Sequence, residues 1–394
     1  MNDLTIKQEF DNVKKELGHG VNISIINLVD QLIEKAHELR ASDIHIDPLE
    51  GRVRIRFRID GVLHDIYSFP KEINHEVISR IKILTKLRTD EHQATQDGRF
   101  RYIFSSDKKF IDFRVSIIPT YHGENAVLRL LTDKNGEHSL ETLGFSESDR
   151  KKIENAIKKT NGMILSTGPT GSGKTTTMYT LIKMLNSPGV SIITIEDPIE
   201  YAVNEIKQIQ VNPRLGLTFA NGLRSILRQD PNIIMVGEIR DTETAHIAVN
   251  TALTGHILLS TLHTSDAATT LPRLLDMGIP EYLVASTVSI AIGQRLVRKI
   301  CKDCKEKIKV KNNFTYKGKG CEACHGSGYF GRICINEVLV ADNKIREAIL
   351  RRASVDEIKK IAIGNGMTTM MEDGLGKVRD GVTTIEEVLR VIHE

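Results

Sequence analysis

The stretch MILSTGPTGSGKTTT, residues 163–177, decides how this chain is read. An apolar run ends at Thr167, a glycine-rich turn follows, and a helix-length segment begins near Lys174. Gly168 to Thr175 fits the pattern G-x-x-x-x-G-K-[ST] between a strand and a helix, the context that gives the pattern its meaning. Glycines let backbone N–H groups turn inward around phosphates. Lys174 reaches the β- and γ-phosphates, and the Thr175 hydroxyl suits Mg²⁺. Gly168, Pro169, Thr170, Gly171, Ser172, Gly173, Lys174, Thr175 and Thr176 are therefore the candidate binding residues for a nucleoside triphosphate.

Strand-like runs recur downstream at SIITI (191–195), IIMVG (233–237) and ILLSTL (257–262), separated by helix-length segments. This alternation indicates a parallel sheet covered by helices on both faces. In such a sheet, ligands sit at the carboxyl ends of the strands. NIIMVGEIRD (232–241) delivers Glu238 to that edge, either to assist Mg²⁺ or to position water. Glu196, in TIEDPIEY (194–201), is the second candidate base. In TGHILLSTLHTSDA (254–267), His256 and His263 bracket a strand. A lone histidine is usually structural, a reading open to His256. His263 stands among Thr261, Thr264 and Ser265, where it is expected to sense phosphate or contact a neighbour.

Upstream, the pattern changes. Ile25, Ile26, Val29, Leu32, Ile33, Ala36 and Leu39 follow helical spacing, ending near Ala41-Ser42. In RVRIRFRIDG (52–61), apolar residues alternate with four arginines, giving a strand with one buried and one basic face, and Asp60-Gly61 supplies a hairpin turn. A helix near Glu72–Leu87 and strands at Phe100–Ser105, Phe110–Ile118 and Ala126–Leu131 complete a small α+β domain over residues 1–132. A polar linker, 133–145, leads to a helix capped by Ser146. The nucleotide domain covers 146–300, a cysteine module 301–330, and a mainly helical region 331–394.

The cysteine module contains Cys301, Cys304, Cys321 and Cys324, two CxxC pairs separated by sixteen residues. Four soft ligands in this pattern suit Zn²⁺ in a closed structural site. Five cysteines in 394 residues, four of them so paired, point to a metal in a reducing compartment rather than a disulfide framework. The fifth, Cys334, reads as a small buried apolar residue. The phosphate loop, far upstream, is expected to stand on a sheet of its own, apart from the cysteines. The net charge of +3, the absence of Trp and an aromatic content of 5% advertise no nucleic-acid surface. No apolar run approaches the ~18 residues that span a bilayer, and the charged N-terminus is not a signal peptide.

GPTGSGKTTT, IEDPIEY, LRSILRQDPNIIMVGEIRD and TGHILLSTLHT, taken together, strongly resemble the secretion ATPases of the type II secretion and type IV pilus assembly family. The resemblance extends upstream through ASDIHIDP, RFRIDGVL, QDGRF and DFRVSIIPTYHGENAVLRLL, and downstream through GQRLVRKIC and GCEACHGSGYFGR, so it covers residues 40–394. It implies a P-loop ATPase working with ATP and Mg²⁺ as a cytoplasmic homo-hexamer. A PAS-like N-terminal domain would join a RecA-like domain, with nucleotide in the cleft between them. By the same resemblance, Arg114 and Arg129 reach the phosphates from the N-terminal domain. Arg224, Arg228, Arg240 and Arg273 match arginines needed for activity, and the four-cysteine module marks assembly and secretion motors. The implied work is filament assembly through an inner-membrane platform protein, with peripheral membrane contact and no nucleic acid. A nucleic-acid motor and a pilus retraction motor are the alternatives. Glu238, Glu196, Arg114, Arg129 and His263 are thus the candidate catalytic residues, with Thr175 and Glu238 on Mg²⁺. Three departures stand out: a short spacer between the cysteine pairs, CIN at 334–336 where Gly-Ile-Tyr is usual, and only about forty residues before ASDIHIDP. The extra N-terminal docking domain of many relatives is therefore expected to be missing.

Overall fold

Alternating apolar and polar residues build the first part of the chain. The structure is a computed structural model that describes residues 24–104, 109–131, 138–310 and 313–393, and it divides into two units after Asn135. In the first unit, β1 (Ala41–Pro48), β2 (Arg52–Ile59), β3 (Val62–Pro70), β4 (Gln96–Ile103), β5 (Phe110–Thr120) and β6 (Gly123–Leu131) form one sheet in the order β3-β2-β1-β6-β5-β4. Helices α1 (Ile25–Glu38) and α2 (Asn74–Thr85) pack on its apolar face. Ile33, Ile78 and Ile81 meet Ile44, Ile46, Ile55, Phe57, Phe113 and Val115 there. Each such side chain contributes about 1.5–3 kcal/mol on burial. The Asp60-Gly61 turn forms as expected, with both residues at positive φ (48° and 89°).

One element differs from the sequence expectation. The first helix stops at Glu38, Arg40 takes a left-handed φ of 55°, and residues 41–48 are a strand. The cause is tertiary. Ile44 and Ile46 alternate with Asp43, His45 and Asp47, and β1 pairs on both sides, with β2 and β6, so its apolar face belongs to the core. Strands β4 and β6 also begin earlier than the apolar runs suggest, because ladder pairing with β5 extends to Gln96 and Gly123.

The second unit is built on β7 (Gly162–Thr167), β8 (Ile192–Glu196), β9 (Lys207–Gln210), β10 (Ile233–Val236), β11 (Ile257–Leu262), β12 (Val288–Ile300) and β15 (Tyr329–Val340). Between the last two lies a small ribbon, β13 (Lys305–Val310) and β14 (Asn313–Gly318). The main sheet runs β15-β12-β7-β11-β10-β8-β9, and its pairs are parallel except β12–β15. One face is covered by α3 (Leu140–Leu143), α4 (Glu147–Ile157) and α5 (Lys174–Leu185). The other carries α6 (Phe219–Ile226), α7 (Thr242–Leu253), α8 (Ala267–Asp276), α9 (Glu281–Thr287), α10 (Asn343–Leu350) and α11 (Val355–Gly364). Burial on both faces explains why β7, β8, β10 and β11 read as unbroken apolar runs.

The expected boundary between a nucleotide domain and a helical region from 331 does not separate two packed bodies. β15 joins the main sheet along the length of β12, and both belong to the same unit. Helices α12 (Met370–Arg379) and α13 (Ile385–His393) follow, and Val388 and Val391 of α13 pack on Val297 and Ile335 of that strand pair. The reason is burial: Ile335, Val338 and Leu339 are apolar groups that only a sheet position covers.

Candidate active site and metal centre

The phosphate loop runs from the end of β7 to the first turn of α5. Gly168 (φ 145°) and Gly173 (φ 96°) hold backbone conformations that side chains rarely adopt. A Cβ on Gly168 would also lie 2.5 Å from the Gln294 carbonyl oxygen. Lys174 is buried, and its Nζ donates to the carbonyls of Gly168 (2.6 Å) and Pro169 (3.0 Å). Burial pushes this lysine down to about 8, against an upward pull from Glu238 and with a further downward push from Arg295. Thr175 is exposed at the start of α5 and Thr176 is half-buried. The loop thus presents a helix N-terminus and one cation.

Hydroxyl ties hold the neighbouring strand ends level with this loop. Thr167 on β7 donates to the carbonyls of Leu262 at the end of β11 and Thr264 just past it, while Ser260 and Thr261 on β11 donate to those of Val236 at the end of β10 and Gly237 just past it. Glu238 and His263 therefore meet at the sheet edge, with His263 Nε2 3.0 Å from a Glu238 carboxylate oxygen. Arg240 donates to the other oxygen and stands 4.0 Å from Asp197 of the IEDPIE segment. Burial favours the neutral carboxyl, yet Arg240 and His263 outweigh it and hold Glu238 below the usual carboxylate range. An ionised carboxylate near Lys174 can take a magnesium ligand position or a proton from water. Arg224, in contrast, pairs with Glu243 at 2.6 Å, and Arg273 is exposed on α8. His256 bonds through Nδ1 to the Thr251 carbonyl at 3.1 Å, a local structural contact.

Glu196 is in a different setting. It ends β8 but is 3% exposed, and it faces α5. Tyr179 on α5, Thr194 (2.5 Å) and Gln208 on β9 (3.2 Å) all donate to its carboxylate. Burial raises its pKa despite these bonds. The structure does not bring Glu196 together with Glu238 and His263.

Arg114 and Arg129 lie in the first unit on adjacent strands, directly opposite one another and both exposed on the polar face. A cross-strand row runs Arg58, Asp43, Arg129, Arg114, Arg99. Asp43 is buried and accepts from Arg129 Nε at 2.8 Å, with Arg58 at 3.5 Å. Asp47 pairs with Arg56 at 2.7 Å. Arg54, Arg56 and Arg58 of β2 thus pair with carboxylates of their own sheet. Sequence reading missed Asp43 as the partner that orients Arg129. The period-two pattern of SDIHID was the available signal.

The four cysteines converge. Zinc–sulfur bonds of about 2.3 Å place tetrahedral corners about 3.8 Å apart. The Sγ–Sγ distances are 3.8 Å for Cys301–Cys321, 3.8 Å for Cys304–Cys324 and 3.6 Å for Cys321–Cys324. Backbone N–H groups of Cys321 and Gly328 donate to Cys324 Sγ (3.2 and 3.3 Å). Those donors outweigh burial at Cys324 and bring its thiol to about 7, whereas burial raises Cys301 and Cys304, so a bound cation would have to stabilise their thiolates. The donor set fits Zn²⁺, with sulfur at every position.

One expectation is corrected at this centre. The cysteines are not on a separate body: the strands entering and leaving the module are β12 and β15, in the sheet that carries the phosphate loop. Cys334 of β15 is buried as expected, and its Sγ lies 3.3 Å from where a Gly173 Cβ would be. CIN replaces the usual triplet against the loop itself.

The family profile described as type II/IV secretion system protein matches residues 21–390. The chain belongs to this family. The secretion ATPase is 47% identical to type II secretion system protein E of Xanthomonas campestris pv. campestris, an alignment covering 94% of this chain and 68% of that relative. It is 45% identical to the type IV pilus assembly ATPase PilB of Thermus thermophilus, over 92% of this chain and 42% of PilB. Among solved structures, the ADP-bound pilus retraction motor PilT matches with a TM-score of 0.63 and 26% identity, covering 92% of this chain and 96% of PilT. DotB of Legionella pneumophila, at 24% identity and a TM-score of 0.70 over 94% and 96% of the two chains, shares the fold. The ATPase is of the P-loop type, and its family implies ATP and Mg²⁺.

Removing one zinc ligand is expected to act locally. Cys301 stands at the far end of β12 from Gln294, roughly 24 Å away at about 3.4 Å per residue. Pairing with β15 is continuous between them to Arg298. Purified ATPase should carry one zinc per chain, and Cys304→Ser should lose it while keeping ATP affinity. Metal analysis beside a nucleotide titration checks both. A zinc-free wild type, or lost ATP affinity in a folded mutant, would contradict this.

Proposed function

We propose that the ATPase works as a cytoplasmic homo-hexamer, peripheral to the inner membrane, that drives assembly of a type IV pilus or type II secretion pseudopilus through an inner-membrane platform protein. The observation that carries the reading is the sheet-edge group of Lys174, Glu238, His263 and Arg240 beside the phosphate loop. Relatives at 41–47% identity are named as type II secretion or pilus assembly proteins, which favours assembly over retraction. Among the described residues, no helix is long and apolar enough to cross a membrane.

In this reading, ATP lies along the loop with Lys174 on the β- and γ-phosphates. Thr175 and Glu238 would hold Mg²⁺, which would supply charge neutralisation at the phosphates. Glu238 also orients the attacking water, with His263 and Arg240 fixing its carboxylate. Phosphoryl transfer needs further positive charge as the terminal group departs, and the family resemblance offers Arg114 and Arg129 as the arginines for that role. Asp43 fixes the Arg129 guanidinium through its Nε at 2.8 Å. Arg114→Ala and Arg129→Ala should each lower turnover by roughly a hundredfold, as removing a transition-state donor does. Phosphate release at saturating ATP checks this, and unchanged turnover in both would remove the first unit from the chemistry. The cellular role is tested by deleting the gene: filament assembly or export should stop, and a Lys174→Ala copy should not restore it.

A further inference from the structure

A glutamine is out of place in the middle of β12. Its neighbours Ala291, Ile292 and Val297 are fully buried, and so is Gln294 itself. An amide in such a position is unfavourable unless its donors and acceptor are matched. Here they are. Ser166 Oγ donates to Gln294 Oε1 at 2.7 Å, and Gln294 Nε2 donates to Thr177 Oγ1 at 2.8 Å and to Cys334 Sγ at 3.4 Å.

The two hydroxyls are the informative partners. Ser166 lies in β7 just before the phosphate loop, and Thr177 is in the first turn of α5 just after it. Both are buried completely. The Gln294 backbone adds a third contact, because its carbonyl fills the space beside Gly168. We propose that Gln294 is a positioning residue for the ATPase reaction: its amide ties the strand entering the phosphate loop to the helix leaving it. This rests on the phosphate-loop reading of residues 168–175.

The physical consequence concerns the loop's backbone N–H groups. They bind phosphate only if they converge, and their convergence depends on the separation of the loop's two ends. A planar amide bonded to both ends sets that separation from beneath, without touching nucleotide. Such support shifts ligand affinity when lost, because small displacements of a binding group weaken it strongly.

The test uses the full chain with Gln294→Leu, Thr177→Val and the pair together. Leucine and valine keep volume and remove the hydrogen bonds. Each single change should raise the ATP dissociation constant at least tenfold, about 1.4 kcal/mol, well below the melting temperature. KM should rise by more than kcat falls. The double variant should bind no more weakly than the worse single, because both changes remove one clamp. Wild-type affinity in folded Gln294→Leu, even with a lowered melting temperature, would mean that the residue serves stability alone and overturns the proposal. If Gln294→Leu fails to fold, Thr177→Val and Ser166→Ala carry the test, and wild-type affinity in both overturns it. Lys174→Ala is the parallel control. If it binds ATP normally, the loop reading itself fails; if it loses binding while the Gln294 series keeps it, only the clamp fails.

Discussion

Lys174→Ala is expected to bring ATP turnover to background. Lys174 is the single cationic side chain between Gly168 and Thr175. Its Nζ already sits inside the loop, held by the Gly168 and Pro169 carbonyls, so it needs only a short swing to meet phosphate. Burial draws it down to about 8, which leaves it mostly protonated near neutral pH, and an arriving polyphosphate favours the charged form further. Alanine removes both the cation and its donors. The loss falls on ground-state binding and on the transition state together, and about three orders of magnitude in kcat/KM is expected from a missing phosphate cation. The two carbonyl contacts that alanine removes lie within the loop itself and tie no other element of the sheet, so folding should persist. Circular dichroism beside a phosphate-release assay separates the two. Wild-type turnover in a folded Lys174→Ala chain would mean that residues 168–175 are not the nucleotide site.

Glu238→Gln should behave differently, keeping ATP binding while losing turnover by roughly 10²–10⁴-fold. The amide preserves shape and one acceptor for Arg240, but it cannot take a proton or oppose the metal's charge. Glu238 is suited to that work because Arg240 and His263 keep it ionised at a position where Lys174 feels it. Glu196→Gln is the comparison. There the carboxylate is already committed to Tyr179, Thr194 and Gln208, and burial favours its neutral form. Replacing it turns an acceptor into a donor amid donors, so the expected effect is lower melting temperature with turnover largely retained. Equilibrium nucleotide binding and single-turnover hydrolysis on both variants decide the matter. Normal hydrolysis by Glu238→Gln with a slow Glu196→Gln would make Glu196 the base.

Much of this protein was legible in order along the chain. The phosphate loop, the CxxC pairs, the Asp60-Gly61 turn and the Ser146 cap are each written within a few residues. Their geometry is local: backbone conformation, a side chain reaching its own helix, or two sulfurs on one turn. The alternating runs of the parallel sheet were equally plain, because strands buried on both faces can carry little but apolar residues. β1 was not. Its helix-like approach and polar Asp43, His45 and Asp47 masked it, and only pairing with β6, far along the chain, defines it as a central strand.

The same division runs through the site. Residue type and position along a strand were enough to nominate Lys174, Glu238, Glu196 and His263 from sequence. Which of the two glutamates shares the edge with His263 was decided by the sheet order, which places β10 beside β11 and leaves β8 and β9 to enclose Glu196 against α5. The continuity of the cysteine module with the phosphate-loop sheet, and the buried amide of Gln294 bonded to Ser166 from 128 positions away, were also set at that level. Local stereochemistry is encoded by neighbours and survives reading one segment at a time. Strand order and buried polar pairing depend on which arrangement covers the most apolar surface while leaving no donor unmatched, a condition the whole chain satisfies at once.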